Sequence, residues 1–138
     1  MKSIISFIGI SAISMAALFA VTHTEQVQDT IKWNKTTHDF GTVKLGPKAD
    51  AEFTFKNDGA APVTIQAARP SCGCTASEYS KEPILPGQSG FVKASYGTEG
   101  RPGFFKKTIT VNFDNGSTQV LTITGTVSTD VESTGNEL

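Results

Sequence analysis

Cysteine is scarce in this chain. Two residues in 138 fall far below the density of a disulfide scaffold, so an ordinary apolar core must hold the fold. Charge of one sign is lacking as well. Twelve Lys and Arg against 13 Asp and Glu leave a formal net charge of −1, with no like-charge run, and that balance gives no basic field to hold a phosphate backbone. Nucleic acid is not an expected partner. The length leaves room for one domain, which rules out most multi-domain enzymes. Phosphate-binding glycine loops, paired catalytic carboxylates and serine-nucleophile elbows are absent. Asp39-Phe40-Gly41 matches a kinase motif by accident, because no glycine-rich loop or partner lysine accompanies it.

One long hydrophobic run is present, at the N-terminus. Met1-Lys2-Ser3 supplies a single positive charge and residues 4–21 carry none, which is the layout of a secretory signal peptide over residues 1–20. Ala17-Leu18-Phe19-Ala20 offers small residues for cleavage after Ala20, although Leu18 is larger than signal peptidases prefer. Retained instead, about 18 apolar residues would just suffice as an anchor in a thin bilayer. No cysteine lies near this segment, so a lipid-modified N-terminal Cys is excluded. Either way the domain is expected to be exported, with no stable membrane span once the signal is cleaved. Removing residues 1–20 leaves 118 residues with 11 basic and 13 acidic groups, a net charge of −2. A chain of that size buries roughly two-thirds of its unfolded surface. Residues 21–30 are expected to form a flexible polar leader, 31–127 the folded domain and 128–138 a disordered polar tail.

Within the domain the hydrophobic period is two. Eighteen Thr and nine Phe lean the composition toward strand formers. Ala51, Phe53 and Phe55 alternate with Glu52, Thr54 and Lys56. Val63, Ile65 and Ala67 alternate with Thr64 and Gln66, and Val92, Ala94 and Tyr96 with Lys93 and Ser95. Ile109, Val111 and Phe113 are followed by Leu121, Ile123, Gly125 and Val127, both sets interleaved mainly with Thr. Turn residues separate the runs: Asn57-Asp58-Gly59, Pro86-Gly87-Gln88 and Asp114-Asn115-Gly116. The Asn115-Gly116 pair points to a type I′ hairpin tip. Adding Ile31 to Trp33 and Phe40-Gly41-Thr42-Val43 makes about seven strands and no helix, with residues 71–88 as one long irregular connection. The expected fold is all-β, an immunoglobulin-like two-sheet antiparallel β-sandwich.

The constellation that stands out chemically is Ser71-Cys72-Gly73-Cys74-Thr75. Cys72 and Cys74 could form a disulfide, which an exported location permits. Its loop is so short that chain entropy contributes only about 1.6 kcal/mol, and if exposed the bond would be easily reduced. As thiolates the same pair could bind a soft metal such as copper(I), whereas a closed zinc site needs four ligands and the chain adds only His23, His38 and carboxylates. Alternatively both are small buried side chains, with Gly73 supplying the turn. His38 could pair with a cysteine in principle but is expected to be a solvated surface residue. Asn34-Lys35-Thr36 and Asn115-Gly116-Ser117 fit the glycosylation pattern by coincidence. Trp33, Phe104 and Phe105 are candidates for an exposed aromatic patch that meets a partner or a glycan, with at least two of them expected to be core or edge filling. Arg101-Pro102-Gly103 looks like a solvated turn.

Taken in order, Asp39-Phe40-Gly41-Thr42-Val43, Phe53-Thr54-Phe55-Lys56-Asn57-Asp58-Gly59, Pro62-Val63-Thr64-Ile65, Ser71-Cys72-Gly73-Cys74-Thr75, Pro83-Ile84-Leu85-Pro86-Gly87 and Gly103-Phe104-Phe105-Lys106-Lys107-Thr108-Ile109-Thr110-Val111 form a series of blocks. The series resembles the bacterial family called domain of unknown function 1573, from Ile31 to Val127. The resemblance implies an immunoglobulin-like sandwich, similar to the wider group of cilia- and sperm-associated domains. It also implies export in a Gram-negative bacterium, to the periplasm or cell envelope. It implies no reaction, and no established role for Cys72-Gly73-Cys74. The expected function is a non-enzymatic module that meets another envelope protein through a sheet face or edge. The alternative is thiol-redox or copper handling by Cys72 and Cys74, and no other cofactor is expected.

Overall fold

The computed structural model describes residues 30–129. The expected signal segment, residues 21–29 of the leader and the tail from 130 onward lie outside the described residues. Eight strands follow one another: β1 (Ile31–Trp33), β2 (Thr37–Lys44), β3 (Ala49–Asn57), β4 (Ile65–Pro70), β5 (Thr75–Tyr79), β6 (Ser89–Tyr96), β7 (Gly103–Phe113) and β8 (Thr118–Ser128). They form two four-stranded sheets, ordered β1-β3-β6-β5 and β2-β8-β7-β4, and among the described residues there is no helix. The expected all-β sandwich is the observed one.

Period-two patterning becomes two facing apolar surfaces. On β3, Ala49, Ala51, Phe53 and Phe55 are buried while Asp50, Glu52 and Lys56 are exposed. Val92, Ala94 and Tyr96 on β6 share that layer, and Phe105, Ile109, Val111 and Phe113 on β7 with Leu121, Ile123 and Val127 on β8 close it from the other sheet. Each large side chain fully buried here contributes about 1.5–3 kcal/mol. Bulk on one strand meets a gap on another. A methyl at Gly90 would come within 2.5 Å of the Phe55 ring, and one at Gly125 within 2.8 Å of the Phe105 ring. Phe55 packs against Trp33 and Phe113 (ring centroids 4.9 and 5.3 Å apart), and Phe105 stacks on Tyr96 (4.0 Å).

The first strand changes sheets. β1 runs antiparallel to β3, a pairing the Asn34 N–H extends to the Thr54 carbonyl, whereas β2 runs parallel to β8, beginning with the Thr122 N–H on the Thr36 carbonyl. The sheet that holds β2 is therefore mixed, with β2 parallel to β8 and its other pairs antiparallel. β2 breaks register between Asp39 and Thr42, where Gly41 (φ 64°) sits in the left-handed region and donates its N–H to Asp39 Oδ1. This bulge blunts an eight-residue edge.

Three local expectations change. Residues 71–88 are not wholly irregular, because β5 lies within them as the edge strand beyond β6. Only Thr75 of its five residues is buried, so no hydrophobic alternation announces it. Val63 lies outside β4, in an isolated bridge to Ile84. At the β7–β8 hairpin the closing bond runs from the Gly116 N–H to the Phe113 carbonyl, so Asp114 and Asn115 are the central residues. Gly116 (φ 83°) takes the left-handed position after them, as in a G1-bulge turn rather than a type I′ tip.

Asn57, fully buried, organises one end of the sandwich. Its Nδ2 donates to the carbonyls of Ala61 (2.8 Å) and Ile84 (2.9 Å), and its Oδ1 accepts from the Gly59 N–H (2.9 Å). Asp58 beside it bridges Lys56 and Lys32 at 3.1 and 3.2 Å, and these ammonium groups lower its carboxyl pKa.

Candidate functional site

The Cys72-Gly73-Cys74 loop lies at the other end, where the chain crosses from β4, an edge of one sheet, to β5, an edge of the other. Backbone bonds hold both flanks. The Ser71 N–H donates to the Thr108 carbonyl (2.8 Å), and the Thr108 N–H to Ser71 Oγ (3.2 Å), which carries the β4–β7 ladder one residue past Pro70. Within the loop the Thr75 N–H reaches the Cys72 carbonyl (3.3 Å), and the Cys74 carbonyl accepts from the Gly97 N–H (2.9 Å). Cys72 and Cys74 are joined as a disulfide across a Cα–Cα distance of 5.3 Å. Both are half-buried, and Cys74 packs against the core. Gly73 is not in the left-handed region, and a methyl on it would meet no atom beyond its neighbours within 4 Å. The turn therefore does not require glycine there.

Thr75 is the residue that sequence reasoning missed. It pairs with Tyr96, is buried, and places its hydroxyl 3.8 Å from Cys72 Sγ and 4.0 Å from Cys74 Sγ. Neither sulfur of a disulfide carries hydrogen, so the hydroxyl is the donor. Its position directly after Cys74 was the available signal.

Two neighbouring loops brace this end. Thr98, fully buried, accepts from the Gly46 N–H (2.8 Å) and donates to the Pro47 carbonyl (2.7 Å). The expected solvated turn at Arg101 is more than solvated, since its guanidinium donates to the Gly97 and Glu99 carbonyls (3.2 Å each). A side chain at Gly97 would touch both this guanidinium and the Cys74 carbonyl, each at 3.6 Å. On β5, Ser77 Oγ donates to the Ala68 carbonyl (2.7 Å) and so covers part of the free edge of β4.

The other candidates lie apart from the loop. His38 sits on β2, separated from β4 by two strands and therefore by about 14 Å, so no Cys/His pair forms. It is half-buried rather than solvated, with its ring edge-on to Phe40 (4.5 Å) and Nδ1 accepting from Lys35 Nζ (2.8 Å). Burial first and the Lys35 charge second lower its pKa, against a smaller opposing pull from Asp39. Asn34 is committed through its backbone to β3, and Asn115 Oδ1 accepts from the N–H and hydroxyl of Ser117. The aromatic patch does not exist as a unit, because Phe105 is buried and half-buried Trp33 packs against the core while Phe104 stands 72% exposed. Among the described residues no group of three or more His, Cys, Asp or Glu is placed to hold a metal ion.

The fold and this loop define an immunoglobulin-like module with a cysteine-bridged crossover between its two sheets. The chain belongs to the family described as protein of unknown function (DUF1573), which it matches over residues 31–127. No curated protein matches it in sequence. Among solved structures it is similar to a protein of unknown function from Porphyromonas gingivalis W83, with a TM-score of 0.60 and 13% identity over 70% of this chain. The match spans 46% of that protein, so the chain covers about half its length. It is also similar to a PapD-like (ASH) domain of human CEP192, with a TM-score of 0.59 and 11% identity over 73% of this chain and 87% of that one. A third similar structure is the secreted serine protease VesC of Vibrio cholerae, with a TM-score of 0.57, 15% identity and coverage of 72% of this chain and 23% of the protease. At these identities the likeness is one of fold.

Proposed function

We propose that this protein is a non-enzymatic module of a Gram-negative cell envelope, exported by its N-terminal segment, that docks another envelope protein along the open first half of β7. One observation carries the reading: Phe104 stands 72% exposed on a strand segment, residues 103–107, that pairs with β8 on one side and with no described strand on the other. β4 reaches only to Ile109, and the Ser71 contact to Thr108 closes the ladder there. An unpaired edge beside an exposed aromatic suits addition of an extended segment, with main-chain bonds for affinity and a ring for selection. Lys106, two residues on and exposed on the same face as Phe104, favours a partner with acidic residues at that level. The other edges are less open: β1 is three residues long, β2 is bulged, and the facing edges of β4 and β5 cover each other, with Ser77 Oγ on the Ala68 carbonyl.

The test is capture from envelope extracts by the wild-type domain and by Phe104→Asp. A specific partner retained by the first and lost by the second, at unchanged thermal stability, is the expected outcome. Equal capture by both, or turnover of a substrate with no protein retained, sinks the reading. Intact mass of the exported protein should correspond to a chain beginning at Val21. The second reading, thiol-redox or copper handling, rests on the Cys72–Cys74 disulfide. Copper would need both sulfurs as thiolates and therefore concerns the reduced protein.

A further inference from the structure

We propose that the Cys72–Cys74 disulfide is a reversible thiol–disulfide exchange site, opened and closed by a dithiol partner while the sandwich stays folded, and that the Thr75 hydroxyl stabilises the thiolate that departs. The inference rests on and deepens the second, thiol-redox reading above and is independent of the docking edge.

The fold does not use this bond as a staple. It closes a loop between residues only two apart, which constrains the unfolded chain very little. The bonds from Ser71 to Thr108, Cys74 to Gly97 and Thr75 to Cys72, with the pairing of Thr75 to Tyr96, are all made by the main chain. They persist when the sulfurs part. The cysteines then stay near their present Cα–Cα distance of 5.3 Å, inside the range that lets a disulfide re-form without backbone movement. The site is reachable as well. Both cysteines are half-buried at one end of the sandwich, and the space beyond Gly73 is open.

Thr75 gives the loop its chemistry. A buried hydroxyl needs a partner, and the partners this one has are the two sulfurs. Toward a disulfide it is a weak donor, but toward a thiolate it makes a charge-assisted bond that favours the ionised form. Cys74, unlike Cys72, packs against the core, so Cys72 Sγ is the atom attacked. A thiolate of the partner bonds to Cys72 Sγ, the Cys72–Cys74 bond breaks, and its electron pair leaves on Cys74 Sγ beside Thr75. The partner's second thiolate then attacks its own sulfur in the mixed disulfide and releases Cys72, and both cysteines take protons from solvent. Two electrons and two protons pass from the dithiol, which becomes a disulfide, to Cys72 and Cys74. An oxidised partner runs the sequence backwards.

The experiment treats the oxidised protein with dithiothreitol under native conditions, quenches with acid, alkylates and measures intact mass. Two alkyl groups per chain are expected, with a cooperative melt retained and Tm lowered by less than about 10 °C. Glutathione disulfide should restore the unlabelled mass. Labelling only in denaturant, or loss of the cooperative melt on reduction, overturns the proposal. The double variant Cys72→Ser/Cys74→Ser should fold and take no label, and a double variant that fails to fold would show the bond to be a staple. In reduced Thr75→Val, alkylation near pH 7 should slow about tenfold, because the thiolate loses its charge-assisted hydrogen bond. A wild-type rate in that variant removes Thr75 from the mechanism.

Discussion

Asn57→Ala removes three hydrogen bonds and a fully buried amide from the end of the sandwich opposite the disulfide. What each lost bond costs depends on what its partner does next. The Ile84 carbonyl keeps the Val63 N–H at 3.0 Å, so it is weakened rather than stranded. Ala61 is exposed and its carbonyl can turn to water, whereas the Gly59 N–H is half-buried and loses its Asx-type acceptor. At about 1 kcal/mol per bond the total is roughly 2–4 kcal/mol, a large part of the 5–15 kcal/mol that holds a domain together. A chain of this size should then melt about 10–25 °C lower. Asn57→Asp separates the hydrogen-bond explanation from simple packing. The carboxylate still accepts from Gly59 but faces two carbonyl oxygens with no proton to offer, so at pH 7 it should destabilise at least as much as alanine. Urea unfolding and thermal melts of both variants check this. A loss under about 0.5 kcal/mol for Asn57→Ala, or wild-type stability for Asn57→Asp, would refute the role given to this amide.

Gly125→Ala forces a methyl to within 2.8 Å of the Phe105 ring and 3.2 Å of the Gly41 carbonyl, and overpacking of that kind costs about 1–3 kcal/mol in a denaturant titration. Gly73→Ala, in open space and without a left-handed backbone, should change stability by no more than about 0.5 kcal/mol, and a larger loss would mean the loop needs glycine after all. Replacing Lys35 by Met should raise the His38 pKa toward its ordinary value near 6.5, read by NMR titration of the imidazole, because one of the two influences lowering it is gone. In the wild type the folded pKa lies below the unfolded one, so the unfolded chain takes up the proton first as pH falls. Stability is therefore full above about pH 6.5 and declines below it, with a gentle slope because the ring is only half-buried.

The parts of the fold legible in the sequence are those where one physical requirement acts alone. Ala51, Phe53 and Phe55 had to share a face because the pleat leaves no other arrangement, and the structure puts all three in the core. β5 was hidden because an edge strand satisfies its main chain from one side and buries little, so Thr-Ala-Ser-Glu-Tyr carries no apolar signal. The Asn115-Gly116 pair promised a turn correctly, but its type depends on which carbonyl closes it. Two residues cannot fix that when Asp114 is equally at home in the central position. Asn57 looked like the first residue of a turn, and its larger role comes from Ile84, 27 residues away, which no local pattern contains.

The candidate site divides along the same line. Two cysteines separated by one residue announced a short loop, and the ring size alone limited what a bond there could contribute to stability. The loop's usefulness as an exchange site rests on facts of three dimensions: the Cys74 carbonyl fastened to Gly97, Ser71 continuing the ladder to Thr108, and a buried threonine hydroxyl facing both sulfurs. Those contacts also explain why a loop at a sandwich end can be chemically active without endangering the fold. Stability resides in the apolar layer between Phe53 and Ile109 and in the strand ladders, while the disulfide spans a crossing that main-chain bonds already hold. A bond that contributes little to folding can be made and broken at little cost to it, and this separation is what a reversible switch requires.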